Sequence, residues 1–165
     1  MEPTNNSSAP VSDTKAQVMG LVDQLEAFLD EFMLKKAPFQ IPMGGKELIV
    51  KISPYLIIIF AVIAIPGLLA LLGLSAVLAP VAALGGQTWG FGAILSIVVA
   101  LVTLGLELMA VPGLFKRTKG AWRLVFYATI VSLVGSLIAY NIVGGLIGAV
   151  IGWYILFQVK ELYKN

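Results

Sequence analysis

The chain has 165 residues, 59% of them apolar and 12% charged, against a usual charged share of about 25%. Its mean hydropathy is +0.95, and 11 Lys plus Arg with 9 Asp plus Glu are too few to coat a soluble domain of this size. With no Cys and no His, the composition excludes disulfides, thiolate and imidazole metal sites, a Cys nucleophile and a Ser-His-Asp hydrolase, and a net charge of +2 gives no footprint for nucleic acid.

In chain order, residues 1–12 read as a disordered tail by composition. Residues 13–36 read as an amphipathic helix. Val18, Leu21, Val22, Leu25, Phe28, Leu29 and Phe32 recur at three- and four-residue steps, with Asp23, Glu26, Asp30 and Glu31 on the other face. Asp13 or Thr14 is the expected cap, and Glu31 with Lys35 a favourable pair. A lipid-surface helix carries Lys and Arg on its polar face, whereas this face is acidic up to Lys35 and Lys36. That favours protein contact through Val18, Leu25, Phe28 and Phe32, by self-association or docking on a partner. Packing on its own bundle, or skimming the bilayer, is the alternative. Residues 37–53, with Pro38, Pro42, Gly44 and Gly45, form a linker and pre-membrane segment, and Ser53 before Pro54 suits a helix start.

No charged residue stands between Lys51 and Glu107, nor between Arg123 and Lys160. Each silent stretch is long enough for two spans of about 20 residues or slightly fewer. The expected spans are 54–78, 90–114, 121–139 and 142–157, giving an all-α, four-helix membrane domain over 54–157, built as two antiparallel hairpins. Pro80, Gly85, Gly86, Gln87 and Thr88 break the first pair, and Tyr140 and Asn141 the second. Pro66 and Gly67 either kink the first span or end it near Gly73.

Four spans put the N-terminal segment, the middle loop and the 158–165 tail on one side, together with all 11 basic residues. The positive-inside rule places that side, and both termini, in the cytoplasm of a cell-membrane protein. The sequons at Asn5 and Asn6 then face the wrong compartment for glycosylation. Trp89, Trp122, Tyr127, Tyr140 and Trp153 fall near span ends, as an aromatic belt would have them. The first 15 residues are polar, so no cleavable signal peptide is expected.

Glu107 is the one acidic residue inside an expected span. An acid at that depth costs a few kcal/mol and must face the bundle. Its candidate partners are Arg123 and the hydroxyls of Thr103, Thr129 and Ser132. It serves either as a proton- or cation-coupling carboxylate or as a structural hydrogen-bonding group. Gly144, Gly148 and Gly152 on the fourth span, and Ala128, Ser132 and Ser136 on the third, form small-residue faces that let helices approach closely. They pack on each other within the chain, or form a dimer seam along the fourth span. The echo between residues 64–69 and 110–115 is read as chance, with Pro112 and Gly113 ending the second span.

The block GLFKRTKGAWRLVFYATIVSLVGSLIAYNIVGGLIGAVIGWYILFQVKELYK, residues 113–164, resembles a pattern in small uncharacterised four-span bacterial membrane proteins. A basic loop with a Trp leads into a short hairpin and an apolar-Phe-Gln-Val-Lys tail. The resemblance implies a bacterial cytoplasmic membrane and carries no activity. Small multidrug-resistance transporters also have four spans and one embedded Glu, but theirs lies in the first span, so their mechanism is not carried over. The sequence thus points to a membrane protein without catalysis or cofactor, acting as a structural or interaction component. Its partners are the lipid bilayer and a second copy or a membrane protein, met through residues 13–36 or the fourth span. The alternative is a small oligomeric transporter or channel that uses Glu107.

Overall fold

A computed structural model of the chain describes residues 9–36, 39–84 and 89–164. Their regular structure is helical throughout: α1 (Ala9–Asp30), α2 (Met43–Leu84), α3 (Trp89–Phe115), α4 (Lys119–Ile138) and α5 (Ile142–Gln158), with a short turn Glu31–Lys35 after α1 and another, Lys160–Leu162, after α5. The tail over 1–8, with its sequons, and the break at Gly85, Gly86, Gln87 and Thr88 lie outside the described residues. The chain divides at Gln40–Ile41 into two units.

In the first unit α1 begins at Ala9, so Asp13 and Thr14 lie inside the helix rather than capping it. Val18, Leu21, Phe28 and Phe32 are exposed, and Leu25 is half-buried. The Phe28 and Phe32 rings meet at 4.7 Å. After Asp30 the backbone widens into a π-turn, in which the Lys36 N–H donates to the Glu31 carbonyl. The extra residue per turn moves the charge partner along by one: Glu31 pairs with Lys36 at 3.3 Å, whose ammonium also sits 4.8 Å from the Phe32 ring.

The second unit opens on a helix of 42 residues. Residues 43–53, expected as pre-membrane linker, are its first turns, and it continues through Pro54, Pro66 and Pro80 without ending at Gly73. Pro54 shows how a proline is accommodated. Its ring supplies no N–H for the Val50 carbonyl four residues back, and the Ser53 hydroxyl donates to that same carbonyl at 3.2 Å. A hydroxyl that restores a freed acceptor is the usual remedy inside apolar helices. Ser53→Ala is expected to lower stability by about 1 kcal/mol, read as a lower Tm in detergent.

Among the described residues three helices are long and apolar enough to cross a membrane: Met43–Leu78 within α2, Ile94–Phe115 within α3, and α4. The apolar helix α5, with 17 residues, is shorter. Helix α3 packs on both α2 and α4, and α4 packs on α5. The α3–α4 and α4–α5 turns close alike. The Thr118 N–H donates to the Gly113 carbonyl and the Asn141 N–H to the Ser136 carbonyl, each at 2.9 Å. Arg117 (φ 53°) and Tyr140 (φ 57°) hold the left-handed position where glycine is usual. Thr118 caps α4 by accepting from the Ala121 N–H at 3.3 Å.

Close approach between helices uses Gly113, Gly135 and Gly145 rather than the glycines of the four-residue row. A Cβ on Gly145 would lie 2.5 Å from that of Ser136, and one on Gly135 would overlap the Val99 side chain, whereas at Gly148 it would meet nothing within 4 Å. Gly144 faces only the side chain of Asn141, and Gly152 is in ordinary contact with Thr129. Ala128 is buried. Gly135→Ala is therefore expected to strain the α3–α4 contact, at a cost of about 1–3 kcal/mol for overpacking, while Gly148→Ala is tolerated. Thermal melts of the two variants in one detergent check the difference.

The α4–α5 hairpin is locked by aromatic rings. Trp122 stacks on Phe126 at 5.6 Å, and Phe157 meets both edge-on at 5.2 and 5.5 Å. The Trp122 indole N–H donates to the Leu156 carbonyl at 2.8 Å. Trp122 and Trp153 are thus buried in the hairpin and do not stand as an exposed belt.

Within the expected tail 158–165, Gln158, Glu161 and Tyr163 tie α5 to the start of α2. The Gln158 side chain accepts from the Ile41 N–H at 3.4 Å, Glu161 pairs with Lys46 at 2.6 Å, and Tyr163 shares a 3.4 Å hydrogen bond with Ser53. Gln158, Val159 and Tyr163 are buried. Burial pushes the Tyr163 hydroxyl above its usual range, opposed by the Ser53 hydrogen bond and the Arg117 charge. Folding therefore favours the neutral phenol. Its contribution is complete below about pH 10 and is lost as pH rises through the elevated folded value. Tyr163→Phe is expected to flatten that alkaline fall, measured as Tm against pH.

Candidate functional site

Glu107 lies eight residues before the end of α3 at Phe115, about 12 Å along the helix. It is half-buried and lines two cavities. The first, about 400 Å³, lies among α2, α3 and α4 and includes Ala64, Thr103, Ser132, Ser136 and Asn141. The second, about 300 Å³, lies among α3, α4 and α5 and includes Thr129, Ser132, Ser136, Gly145 and Gly148. Glu107, Ser132 and Ser136 belong to both, so one α4 face divides the space while the carboxyl-bearing residue serves either side.

The helical period explains the grouping. Thr103 and Glu107 are one turn apart on α3, as are Ser132 and Ser136 on α4, and antiparallel packing sets the two pairs against each other. Small residues leave the volume open. Gly148 and Gly152, with no side chains to fill it, line the second cavity instead of closing it.

Of the candidate partners, the structure gathers Thr103, Thr129 and Ser132 around the cavities of Glu107, and leaves Arg123 exposed and lining neither. Glu107 makes no hydrogen bond or ion pair among the described residues. Thr129 and Ser136 donate within α4, to the Val125 and Ser132 carbonyls at 3.0 Å. The Thr103 hydroxyl is buried without a partner. Asn141, on the first cavity, is a lining residue that sequence reasoning assigned to the hairpin alone.

Chemically, the site offers one carboxylate among neutral oxygens. Oxygen donors suit a proton or a hard cation, and a single acid balances one positive charge. No group of three or more acidic side chains stands together among the described residues to hold a more highly charged ion. No protein family, curated protein sequence or solved structure matches this chain.

Proposed function

We propose that the chain is a four-span integral membrane protein of the cytoplasmic membrane, with both termini cytoplasmic, and that Glu107 binds a proton or monovalent cation as the coupling group of a small transporter or channel. The observation that carries the reading is an embedded carboxyl between two cavities with no protein partner among the described residues. Embedded acids are rare and costly, and one without a structural partner marks an ion or proton path by default. A structural role would have left Glu107 bonded to Arg123 or to a neighbouring hydroxyl.

The topology rests on two supports. Helix α5, with 17 residues, is about 26 Å long, a few Å short of a hydrocarbon core of about 30 Å, a mismatch that local thinning absorbs. The pairs Lys46–Glu161 and Ser53–Tyr163, with the nearby charge of Arg117, bring the start of α2, the α3–α4 turn and the chain end together at one end of the bundle. The basic residues of these three segments then face one compartment, as the positive-inside rule requires.

A second reading, a non-catalytic assembly component, is favoured by the exposed apolar residues Val18, Leu21 and Phe28 of α1 and Phe32 of the turn after it. Flux measurements in proteoliposomes separate the two. A transporter loses flux on Glu107→Gln, whereas an assembly component is indifferent there and loses its partner on Phe28→Asp, read by co-purification.

A further inference from the structure

A third space lies between the first half of α2 and α5, and shares Thr129 and Gly152 with the second cavity of Glu107. It is a cleft of about 600 Å³, walled by Ile52, Leu56 and Phe60 of α2, Leu114 of α3, and Ile155 and Leu156 of α5. Its lining residues on α2 run from Leu48 to Phe60, about 18 Å of helix, against about 15 Å for the hydrocarbon of one leaflet. Its polar side chains are Ser53 and Tyr163, which meet at one end, and Thr129, whose hydroxyl is bonded within α4.

We propose that this cleft holds one acyl chain of an anionic phospholipid, whose headgroup is bound at the cleft mouth by Arg117 and Lys164. The shape selects the occupant. The apolar wall on α2 matches the depth of one leaflet, which is the reach of a single acyl chain. The charge selects the headgroup. Arg117 and Lys164 are exposed and make no ion pair among the described residues, while Glu161, the nearest acid of the tail, is neutralised by Lys46 at 2.6 Å. Glu47 is exposed on α2. Arg117 also stands at φ 53° in a turn where glycine is unstrained, a conformation costing about 1–2 kcal/mol for a side chain that a glycine would avoid.

The test is native mass spectrometry of the full chain, reconstituted in vesicles of phosphatidylglycerol or phosphatidylcholine and released into mild detergent. One retained phosphatidylglycerol per chain, and no retained phosphatidylcholine, is the expected result. Arg117→Gly preserves the turn while removing the charge, and with Lys164→Gln it is expected to weaken retention about five-fold per charge. Gly152→Leu puts a side chain at the cleft wall, where its Cβ would be in ordinary contact with Thr129 at 3.8 Å, and is expected to abolish retention. Equal retention of the two lipids, or retention indifferent to Gly152→Leu, overturns the proposal. So does a crosslinked dimer that Gly152→Leu removes while lipid retention persists, since the occupant is then a second copy.

Discussion

Replacing Glu107 with Gln is expected to reduce proton or monovalent-cation flux in proteoliposomes to the level of protein-free vesicles, with Tm unchanged. The amide keeps the shape of the carboxyl and removes its charge, and no hydrogen bond or ion pair among the described residues is lost with that charge. Stability and flux therefore separate, which distinguishes a working group from a structural one. Glu107→Asp retains the charge and is expected to keep part of the flux. Thr103 gives a companion test. Its hydroxyl is buried without a partner one turn from Glu107, and a buried unsatisfied group costs about 1–3 kcal/mol. Thr103→Val is thus expected to raise Tm, and to lower cation affinity if the hydroxyl serves the ion. Undiminished flux in Glu107→Gln would leave the assembly reading in possession of the field.

The largest structural loss is expected from Trp122→Ala, which deletes the centre of the α4–α5 lock. Trp122 is 2% exposed, stacks on Phe126, meets Phe157 edge-on and carries the Lys160 ammonium at 4.9 Å. Truncating a buried Trp costs about 3–5 kcal/mol, and here the Leu156 carbonyl also loses its donor at 2.8 Å. Trp122→Phe keeps most of the ring contact and is expected to cost about 1 kcal/mol for the hydrogen bond. Trp153 provides the contrast, because its indole N–H is buried with no partner. Trp153→Phe removes an unsatisfied donor and is expected to be neutral or stabilising. Chemical unfolding in detergent ranks the three. A Trp153→Phe loss as large as that of Trp122→Ala would refute the account.

On the readings proposed above, the helix α1 offers a protein contact and the cleft between α2 and α5 a lipid contact. The π-turn at Glu31–Lys35 illustrates how little sequence spacing says about such local geometry. An α-helix pairs Glu31 with a residue four ahead, and one widened turn makes the partner Lys36. Likewise, Pro66 reads as a kink or an end and Pro80 as a break, yet the helix runs on, since an apolar segment gains more from keeping its remaining backbone bonds than from turning.

The sequence by itself determined the class of the protein and the place of its one embedded acid. Hydropathy over a run of residues is a sum, insensitive to neighbours, so helices α2 to α4 and Glu107 within α3 were legible without coordinates. The absence of His and Cys was equally decisive about chemistry. Tertiary structure alone decided what surrounds Glu107, which glycines make contact, and what the chain end does. Gly145 rather than Gly148 faces Ser136 because rotation of α5 about its own axis is set by the Trp122, Phe126 and Phe157 cluster, not by the row of glycines. The short polar end, Gln158 to Tyr163, has no periodicity to announce it. It is ordered by Ile41, Lys46 and Ser53, more than a hundred residues away in the chain, and partners so remote are chosen by packing, which no local pattern encodes.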